Sequence, residues 1–460
     1  MLKKLLNPEN KIAILWFWKE GQSSLRFLLR QGREDITILD SNISQKLIYE
    51  DFKKDAPGLQ WIFWDTYLDT LHTFDSIIKT PGISPFWEKL IAHKEKFISQ
   101  AHIFFEQYTG KVIWITGTKG KSTTSTLLFT ALQDLWYRVK LVWNIWNPVL
   151  DEVPLDTQDS YDYVVYELSS YMLQDFSPRL EIWVLNNIYP CHLDWHYHSY
   201  NIYKEAKLNI LTNAHIKIIN AELRNDREVQ ESLWDKHFFW DSWRIYVEKD
   251  WVYRDWVKVL GEHDTKLRWK HNYYNISAVL ETLISITNDR GDLIPIFKKT
   301  LKNFEWLPHR LQSIGIYEGI EFVDDAIATT PESTIAAIDA LNGVLQTLIV
   351  WGQNSWFVFD TLRRKILTSS IEIIIAFPDT SELIFPEIRY RPYDTPFEMM
   401  IEGKSLLFIK TRSMKIAVAF VYRNTLPWRI ALLSSWAPSF SLWRNYIEKA
   451  EEFIREVKKF

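Results

Sequence analysis

A phosphate-binding pattern is the clearest chemical signal in this chain. The stretch TGTKGKSTT, residues 116–124, follows an apolar run and opens a segment of helical character. Gly117 and Gly120 allow the backbone N–H groups to curve around phosphate oxygens. Lys121 can reach the terminal phosphates, and the Ser122 hydroxyl can hold Mg²⁺. We therefore predict a nucleoside triphosphate site at this strand-to-helix loop.

A carboxylate stands at the end of a second apolar run. Glu167 closes the sequence YVVYE, and in a nucleotide site a carboxylate at such a strand end holds Mg²⁺. Spacing alone leaves a second interpretation open, in which Glu167 is a strand-end acid that faces water. Both interpretations place Glu167 at the carboxyl edge of a sheet.

Tryptophan and glycine are used in abnormal numbers. The chain has 23 Trp and 14 Gly, whereas an average glycine usage of about 7% would give about 32. Tryptophans also occupy loops, as in LVWNIWNPVL at residues 141–150, where Trp143 and Trp146 flank Asn144. Some bacterial genetic codes read UGA as glycine, while common translation tables write it as Trp. We therefore predict that many of these tryptophans are glycine in the living cell.

Several local patterns improve when glycine replaces tryptophan. WFWKEG, residues 16–21, becomes the fingerprint G-x-G-x-x-G, and Asp40 closes the next strand 19 residues after Gly21, where a ribose-binding acid is expected. KDWVYRDWVKV becomes two strands joined at Asp-Gly, and DLWYRVK gains a helix-ending glycine. We interpret Trp87, Trp195 and Trp443 as genuine. The positions that we predict to be glycine are Trp16, Trp18, Trp64, Trp114, Trp136, Trp143, Trp146, Trp243, Trp251, Trp256, Trp269, Trp306, Trp351, Trp356, Trp428 and Trp436.

Alternating buried strands and helical segments predict an α/β fold with three domains. We expect a Rossmann-like N-terminal domain at 1–105 and a central P-loop ATPase domain at 106–310, with a parallel sheet and a small β-rich patch. A Rossmann-like C-terminal domain should follow at 311–460. Its last segment, RNYIEKAEEFIREVKKF, has the apolar spacing of a helix packed on a core.

Composition excludes several classes of protein. The net charge of −4 provides no basic field for nucleic acid or for an anionic membrane. The single cysteine, Cys191, excludes an internal disulfide framework and suits a reducing cytosol. No run of about 18 apolar residues is present, so we expect no membrane span. The expected protein is a cytoplasmic monomer that acts on small molecules.

Seven short motifs, taken together, indicate a protein family. GTKGKSTT, ELSSYMLQ, LNNIYPCHLDWH, EAKLNI, HNYYN, LPHRL and APSFSLWRNY follow one another in order. Together they resemble the Mur ligases, ATP-dependent amide-forming enzymes of peptidoglycan synthesis, from about residue 11 to the C-terminus. The resemblance implies that UDP-N-acetylmuramoyl-L-alanine, D-glutamate and ATP are the substrates. A carboxylate would be phosphorylated to an acyl phosphate, which the amine of the amino acid then attacks.

The resemblance also assigns roles to individual positions. Lys207 matches a lysine that carries a CO₂-derived carbamate, which helps to position two Mg²⁺ ions. Substrate positions in the N-terminal and central domains are Lys19, Glu20, Gly21, Asp40, Gly82 and Asn144. ATP positions are Gly117, Thr118, Lys119, Gly120, Lys121, Ser122, Thr123, Asn272 and Arg310. Catalytic positions are Lys121, Glu167, His192 and Lys207; metal positions are Ser122, Glu167, His192 and Lys207; amino-acid positions are Thr329, Ser439 and Tyr446.

Departures from the family pattern concern the incoming amino acid. Ile327 stands where members often have a lysine, and Ser355 stands where a basic residue often follows a Gly-Gly turn. Both basic groups normally help to bind the acidic substrate. Cys191 stands where an aspartate usually precedes the histidine, and we interpret it as a small buried thiol.

Two other readings remain open at this point. The first is a sister ligase that adds a different amino acid to the muramoyl peptide; a folate-type polyglutamate ligase fits less well because that branch lacks the uridine-type N-terminal domain. The second is a non-catalytic nucleotide-binding protein, which would follow if all the tryptophans are real and Trp114, Trp143 and Trp146 crowd the substrate sites.

Overall fold

The computed structural model describes most of the chain. The described residues are 2–63, 66–142, 148–153, 160–174, 180–191, 193, 195–212, 214–231, 235–239, 245–248, 251–267, 270–305, 308–328, 331–352, 359–379, 381–435, 442–443 and 445–460. Two compact units divide the chain, Met1–Phe304 and Glu305–Phe460. The predicted boundary near residue 105 falls inside the first unit, so the division into three domains stays a prediction.

The first unit begins with a parallel sheet of order β3-β2-β1-β4-β5. Its central strand β1 is a continuous apolar run, and all residues of β1 and β4 are buried, as in a parallel sheet covered on both faces. The chain reverses its direction of strand addition between β1 and β4, which creates a switch point at their carboxyl ends. The elements are β1 (Ile12–Leu15), β2 (Thr37–Leu39), β3 (Gln60–Ile62), β4 (Ser76–Lys79), β5 (Phe97–Ile98), α1 (Leu2–Leu6), α2 (Lys19–Arg30), α3 (Lys46–Asp55), α4 (Glu88–Ile91) and α5 (Gln100–Gln107).

A second parallel sheet in the same unit has the order β11-β10-β9-β6-β8-β7. Its strands are β6 (Val112–Thr116), β7 (Val139–Val142), β8 (Tyr163–Glu167), β9 (Leu180–Leu185), β10 (Ala214–Asn220) and β11 (Asp235–Phe239). Its helices are α6 (Lys121–Asp134), α7 (Val149–Glu152), α8 (Ser170–Leu173), α9 (Tyr200–Leu208), α10 (Arg227–Glu231), α11 (Lys270–Thr287) and α12 (Leu293–Asn303). One apolar core cluster contains residues from both parallel sheets.

The predicted β-rich patch is a separate antiparallel sheet of order β12-β13-β14. Its strands are β12 (Ile245–Glu248), β13 (Trp251–Arg254) and β14 (Val257–Gly261). The β13–β14 turn has positive φ at both central residues, +47° at Asp255 and +70° at Trp256. Two positive φ angles define a type I′ hairpin, which strongly prefers glycine at the second position.

The second unit contains a mixed sheet of order β15-β16-β21-β17-β18-β20-β19, antiparallel only where β15 and β19 pair at its edges. Ala450, Phe453 and Val457 of the last helix are buried in its core, as the apolar spacing predicts. The strands are β15 (Gln312–Tyr317), β16 (Ile320–Asp325), β17 (Leu345–Gly352), β18 (Ile373–Asp379), β19 (Phe397–Ile401), β20 (Lys404–Lys410) and β21 (Ile430–Ser435). The helices are α13 (Pro331–Ala340), α14 (Asp360–Thr368), α15 (Ser381–Ile384), α16 (Met414–Asn424) and α17 (Tyr446–Val457).

Four tryptophans that we predict to be glycine have left-handed backbone. Their φ angles are +69° at Trp16, Trp136 and Trp428, and +70° at Trp256. The side chains of Trp136, Trp256 and Trp428 are 87%, 72% and 84% exposed, so packing does not compensate for the backbone strain. Trp64, Trp143, Trp146, Trp243, Trp269, Trp306, Trp356 and Trp436 lie outside the described residues.

One expectation about the tryptophans is wrong. The ring of Trp114 does not crowd the phosphate loop, because it points into the core from the middle of β6. It is fully buried and stacks on Trp183 at 5.4 Å between ring centroids, with Tyr166 at 5.1 Å. The backbone of Trp18 is also ordinary, with φ of −83°. The backbone conformation thus supports glycine at Trp16, Trp136, Trp256 and Trp428 and gives no such support at Trp18.

Within the described residues, no helix combines the length and the apolar character that crossing a bilayer would require.

Candidate active site

The loop between β6 and α6 forms a backbone cradle that only glycine can build. Gly117 has φ of +157° and Gly120 has φ of +82°. A Cβ atom on Gly117 would lie 2.8 Å from Asn186 Cβ, and one on Gly120 would lie 2.2 Å from Asn275 Oδ1. The loop then enters α6, whose N-terminal N–H groups and dipole favour an anion.

Two asparagines that follow β9 hold this loop in place. The backbone N–H groups of Thr118 and Lys119 donate to Asn187 O at 2.9 Å and to Asn187 Oδ1 at 2.8 Å. Asn186 Nδ2 donates to Thr124 Oγ1, in the first turn of α6, at 2.9 Å. The motif LNNI was part of the family resemblance, but neither asparagine was assigned a role from sequence.

Lys121, in the first turn of α6, folds back over the loop. Its Nζ donates to Gly117 O at 3.0 Å and to Thr118 O at 3.1 Å. Ser122 and Thr123 follow it and are half-buried at the helix N-terminus. The ammonium therefore lies over the cradle in which phosphate oxygens would bind.

Lys207 of α9 also reaches this loop. Its Nζ donates to Gly117 O at 2.9 Å and to Thr116 Oγ1 at 3.3 Å. Burial lowers the pKa of the Lys207 ammonium well below its ordinary value, and the charge of Lys121 lowers it further. From sequence alone this residue would be a solvated helix lysine; the structure makes it a buried amine at the phosphate loop.

Glu167 lies at the carboxyl end of β8, directly beside β6. It pairs with Ile115 in the sheet register and is 3% exposed. Its negative charge raises the pKa of Lys207, against the larger effect of burial. The second interpretation from sequence, an acid that faces water, is therefore wrong.

Asn272 of α11 is buried and connected to the cradle through its neighbour. Asn275 Nδ2 donates to Asn272 Oδ1 at 3.2 Å, and Thr124 Oγ1 of α6 donates to Asn275 Oδ1 at 3.3 Å. Tyr203 of α9 also contacts the loop, with its hydroxyl 2.6 Å from Thr118 Oγ1. Asn275 and Tyr203 are further loop contacts that the sequence did not single out.

The predicted uridine-nucleotide residues lie around the switch point of the first sheet. Asp40 accepts hydrogen bonds from the backbone N–H groups of Phe17 and Asn42, both at 2.8 Å, so its carboxylate fixes the loop after β1. Gly21 packs under that loop, since a Cβ there would lie 2.2 Å from Trp16 O. Lys19 and Gly82 are exposed beside this edge.

Glu20, in the first turn of α2, has an unusual environment. Burial raises the pKa of the Glu20 carboxyl from 4.5 to about 7, although the charge of Lys79 partly offsets this effect. Gln100 Nε2 donates to Glu20 O at 2.7 Å and fixes the backbone. The carboxyl thus titrates near neutral pH at the carboxyl edge of the first sheet.

In the second unit, polar groups gather at the carboxyl ends of β16 and β21. His309 Nδ1 contacts Asp324 Oδ2 at 2.7 Å, and Ser434 Oγ donates to Asp325 Oδ2 at 2.9 Å. Burial raises the pKa of Asp325 to about 7, and the Ser434 hydrogen bond and the Arg310 charge oppose the rise. Lys449 of α17 donates to Ser435 Oγ, and burial lowers its pKa to about 7.

The predicted residues Arg310 and Tyr446 belong to this second cluster. Arg310 is half-buried and its charge acts on Asp325. The ring of Tyr446 lies edge-on to His309 at 5.9 Å between centroids, and burial raises the pKa of its hydroxyl to about 12. Lys449, which sequence reasoning missed, lies one helical turn from Tyr446.

Four predicted site residues fall outside the described part of the chain: Asn144, His192, Thr329 and Ser439. Among the residues that are described, no group of three or more His, Cys, Asp or Glu side chains has the arrangement of a metal site. Mg²⁺ commonly takes one or two carboxylates and completes its shell with substrate phosphates and water. The buried Glu167 and the half-buried Ser122 beside the phosphate cradle fit such a partial ligand set.

Comparison with known proteins agrees with this geometry. Residues 115–282 match the model of the Mur ligase middle domain. The chain is 31% identical to a UDP-N-acetylmuramoyl-L-alanine–L-glutamate ligase of Xanthomonas campestris pv. campestris, over 97% of this chain and 95% of that protein. The chain belongs to the Mur ligase family. This Mur ligase is therefore an ATP-dependent amide-forming enzyme.

Other relatives extend over the whole chain as well. A UDP-N-acetylmuramoylalanine–D-glutamate ligase of Acetivibrio thermocellus is 27% identical, over 98% of this Mur ligase and 96% of the relative. The solved MurF ligase of Thermotoga maritima in complex with ADP has a TM-score of 0.55 at 17% identity and covers 100% of both chains. The structural likeness confirms the predicted α/β fold.

Proposed function

We propose that this Mur ligase adds D-glutamate to UDP-N-acetylmuramoyl-L-alanine in peptidoglycan synthesis, with ATP as the energy source. Relatives with that activity align over nearly its full length. The observation that carries the proposal is the convergence of Lys121 and Lys207 on the Gly117 carbonyl of the glycine cradle. The Lys121 ammonium at a phosphate loop suits a reaction in which charge gathers on a transferring phosphoryl group. The buried Lys207 amine on the same carbonyl is the group on which we place a carbamate below.

The chain's own residues would act in the following way. The backbone N–H groups of 117–123 bind the phosphates of ATP, and Lys121 offsets the charge that develops on the γ-phosphoryl group. The free carboxylate of the substrate's L-alanine residue attacks this group and becomes an acyl phosphate, with ADP as the leaving group. The amine of glutamate then attacks the acyl carbon, and phosphate leaves from the tetrahedral intermediate. Arg310 supplies a permanent positive charge for a phosphate.

Mg²⁺ and a carbamate on Lys207 belong to the same proposal. Ser122, Glu167 and His192 would hold Mg²⁺, which supplies charge neutralisation at the phosphates when bound. A neutral amine is the form that adds to CO₂, and the lowered pKa of Lys207 makes the neutral form accessible. Incubation with ¹³C-labelled bicarbonate should give a carbamate carbon signal that the Lys207→Arg variant lacks; an identical signal in that variant would overturn the assignment.

The decisive experiment is a phosphate-release assay on two forms of the chain, one with the printed tryptophans and one with glycine at the sixteen predicted positions. We expect the glycine form to release phosphate only when ATP, UDP-N-acetylmuramoyl-L-alanine and glutamate are all present. The tryptophan form should be inactive, since bulky rings flank Asn144 in its sequence. Robust turnover by the tryptophan form would refute the glycine interpretation.

L-Glutamate is the second candidate for the amino acid. The relative with 31% identity is named as an L-glutamate ligase, and Ile327 and Ser355 depart from the family pattern at the amino-acid site. Chiral analysis of the product made from racemic glutamate separates the two candidates. A product that contains only L-glutamate would replace D-glutamate in the proposal. We also propose that the enzyme is a monomer. We place it in the cytoplasm, because its nucleotide substrates are those of the cell interior.

A further inference from the structure

The last residue of β4 hydrogen-bonds to the backbone of the loop that follows the strand. Lys79 Nζ donates to Ile83 O at 2.7 Å and to Thr80 O at 3.5 Å, and the side chain is 5% exposed. We call residues 80–84 the TPGIS loop. It lies at the switch point of the first sheet, where open α/β sheets bind ligands.

Trp195, which follows β9 of the second sheet along the chain, hydrogen-bonds to the same loop. Trp195 Nε1 donates to Gly82 O at 3.2 Å, and Ser84 Oγ donates back to Trp195 O at 2.6 Å. These two hydrogen bonds connect segments that are more than a hundred residues apart in sequence. Lys79 Nζ lies 5.6 Å from the centroid of the indole ring. The TPGIS loop is thus fixed by an ammonium, an indole N–H and a hydroxyl.

The indole itself has a fixed position. Trp195 is 7% exposed and stacks on Tyr171 at 4.6 Å between centroids and 29° between planes. Its ring also contacts His196, whose Nε2 lies 3.0 Å from Ser170 Oγ. Because this packing fixes the orientation of the indole ring, its N–H group points in one direction. These contacts agree with our interpretation of Trp195 as a genuine tryptophan.

We propose that Trp195, together with Ser84, is a positioning residue that holds the TPGIS loop in the conformation that binds the uridine nucleotide substrate. The inference rests on the proposed function, because it takes Gly82 as a substrate contact. A backbone that contacts substrate loses binding when it moves by a fraction of an ångström. Trp195 also lies three residues after His192, so it ties the substrate loop to the segment that carries a predicted metal residue.

Trp195→Phe, made in the form of the chain that has glycine at the sixteen predicted positions, tests the inference, because phenylalanine retains the aromatic packing and removes the N–H donor. We expect the KM for UDP-N-acetylmuramoyl-L-alanine to rise about five- to tenfold, the size of effect expected for one lost hydrogen bond. The KM for ATP should stay unchanged. Ser84→Ala, which removes a single hydroxyl, should raise the same KM. The matched control is Trp443→Phe, which removes an indole hydrogen bond to Glu452 in the second unit and should leave this KM unchanged.

Two results would contradict different parts of the argument. If the glycine form turns over but neither Trp195→Phe nor Ser84→Ala in that form changes the KM for the uridine nucleotide, Trp195 is a packing residue and the inference is wrong. A fall in thermal stability without a change in that KM leads to the same conclusion. If the glycine form does not ligate glutamate to this nucleotide at all, the proposed function fails first and the inference fails with it.

Discussion

At the scale of single residues, backbone conformation separates two groups of tryptophans. Trp16, Trp136, Trp256 and Trp428 have φ near +70°, which costs an L-residue with a β-carbon about 1–2 kcal/mol. Trp195 and Trp443 have ordinary backbone, are buried, and donate their indole N–H groups to protein acceptors. The first group therefore fits glycine and the second fits tryptophan.

A pair of substitutions checks this division. Trp428→Gly should stabilise the protein by about 1 kcal/mol, because it relieves a positive φ at an exposed side chain. Trp443→Gly should destabilise it by about 3–5 kcal/mol, because it leaves a cavity beside Phe377. Urea denaturation of both variants measures the two changes.

Mass spectrometry of the protein from its native source provides the independent check. We expect peptides that cover residues 136, 256 and 428 to contain glycine, and peptides that cover 195 and 443 to contain tryptophan. Tryptophan at all five positions would show that the strain belongs to the native protein.

At the scale of elements, the phosphate cradle depends on three neighbours. The loop begins at the end of β6 and ends at the N-terminus of α6. Asn186 and Asn187, which follow β9, hydrogen-bond to Thr124 and to the backbone of Lys119. Lys207 reaches it from α9. A change in the backbone of the loop therefore disturbs ATP binding and the local packing together.

Gly120→Ala should abolish detectable ATP binding and destabilise the protein by more than ~2 kcal/mol, because its Cβ would clash with Asn275 and its φ is +82°. Isothermal titration with ATP and thermal denaturation measure the two effects. Gly343→Ala is the matched control, since Gly343 has φ of +90° but no atom within 4 Å of the added Cβ. It should cost about 1 kcal/mol and leave ATP binding intact. Normal ATP affinity in Gly120→Ala would show that the cradle is not the nucleotide site.

The helix α2 carries a pH-dependent contribution to stability through Glu20. Its pKa is about 7 in the folded state against an ordinary value of 4.5, so the folded protein retains a proton that the unfolded chain releases. Stability is therefore lost as the pH rises from about 4.5 to about 7. Glu20→Gln removes this loss. The variant should gain about 1–3 kcal/mol relative to the unsubstituted protein across that window and no more above it. Equal pH profiles from urea denaturation would contradict the buried carboxyl.

At the scale of the whole molecule, two compact units have their own sheets and cores. The first unit holds the phosphate cradle and the predicted uridine-nucleotide residues, while the second holds the cluster of Asp324, Asp325 and Lys449. ATP bound at the cradle stabilises the first unit, which contains the cradle, by the free energy of binding.

Scanning calorimetry should therefore show two transitions, one for each unit. An ATP concentration of about one hundred times its Kd should add about 2.7 kcal/mol to the first unit and raise its Tm. The Gly120→Ala variant should lose this shift. A single transition that ATP moves as a whole would show instead that the two units unfold cooperatively.

Some properties of this protein follow from its sequence alone. The phosphate loop, the α/β alternation, the β-hairpin and the last helix were all predictable, because each depends on local periodicity or on residues adjacent in the chain. The motif series also predicted the family, and the tryptophans in loop positions predicted left-handed backbone correctly at Trp16, Trp136, Trp256 and Trp428 but not at Trp18. Trp136 and Trp256 illustrate this, since a helix end and a hairpin turn need positive φ whatever surrounds them.

Only the tertiary structure decided which side chains meet. Lys207 looks like a solvated helix lysine until α9 packs against the phosphate loop and buries its amine. Trp114 was placed wrongly because strand position, and not distance along the chain from the loop, decides which way a ring points. Asn186, Asn275, Lys79 and Trp195 carry no local signal for their contacts, which join residues far apart in sequence. Periodicity fixes an element and its buried face, whereas burial and partners depend on the element that packs against that face.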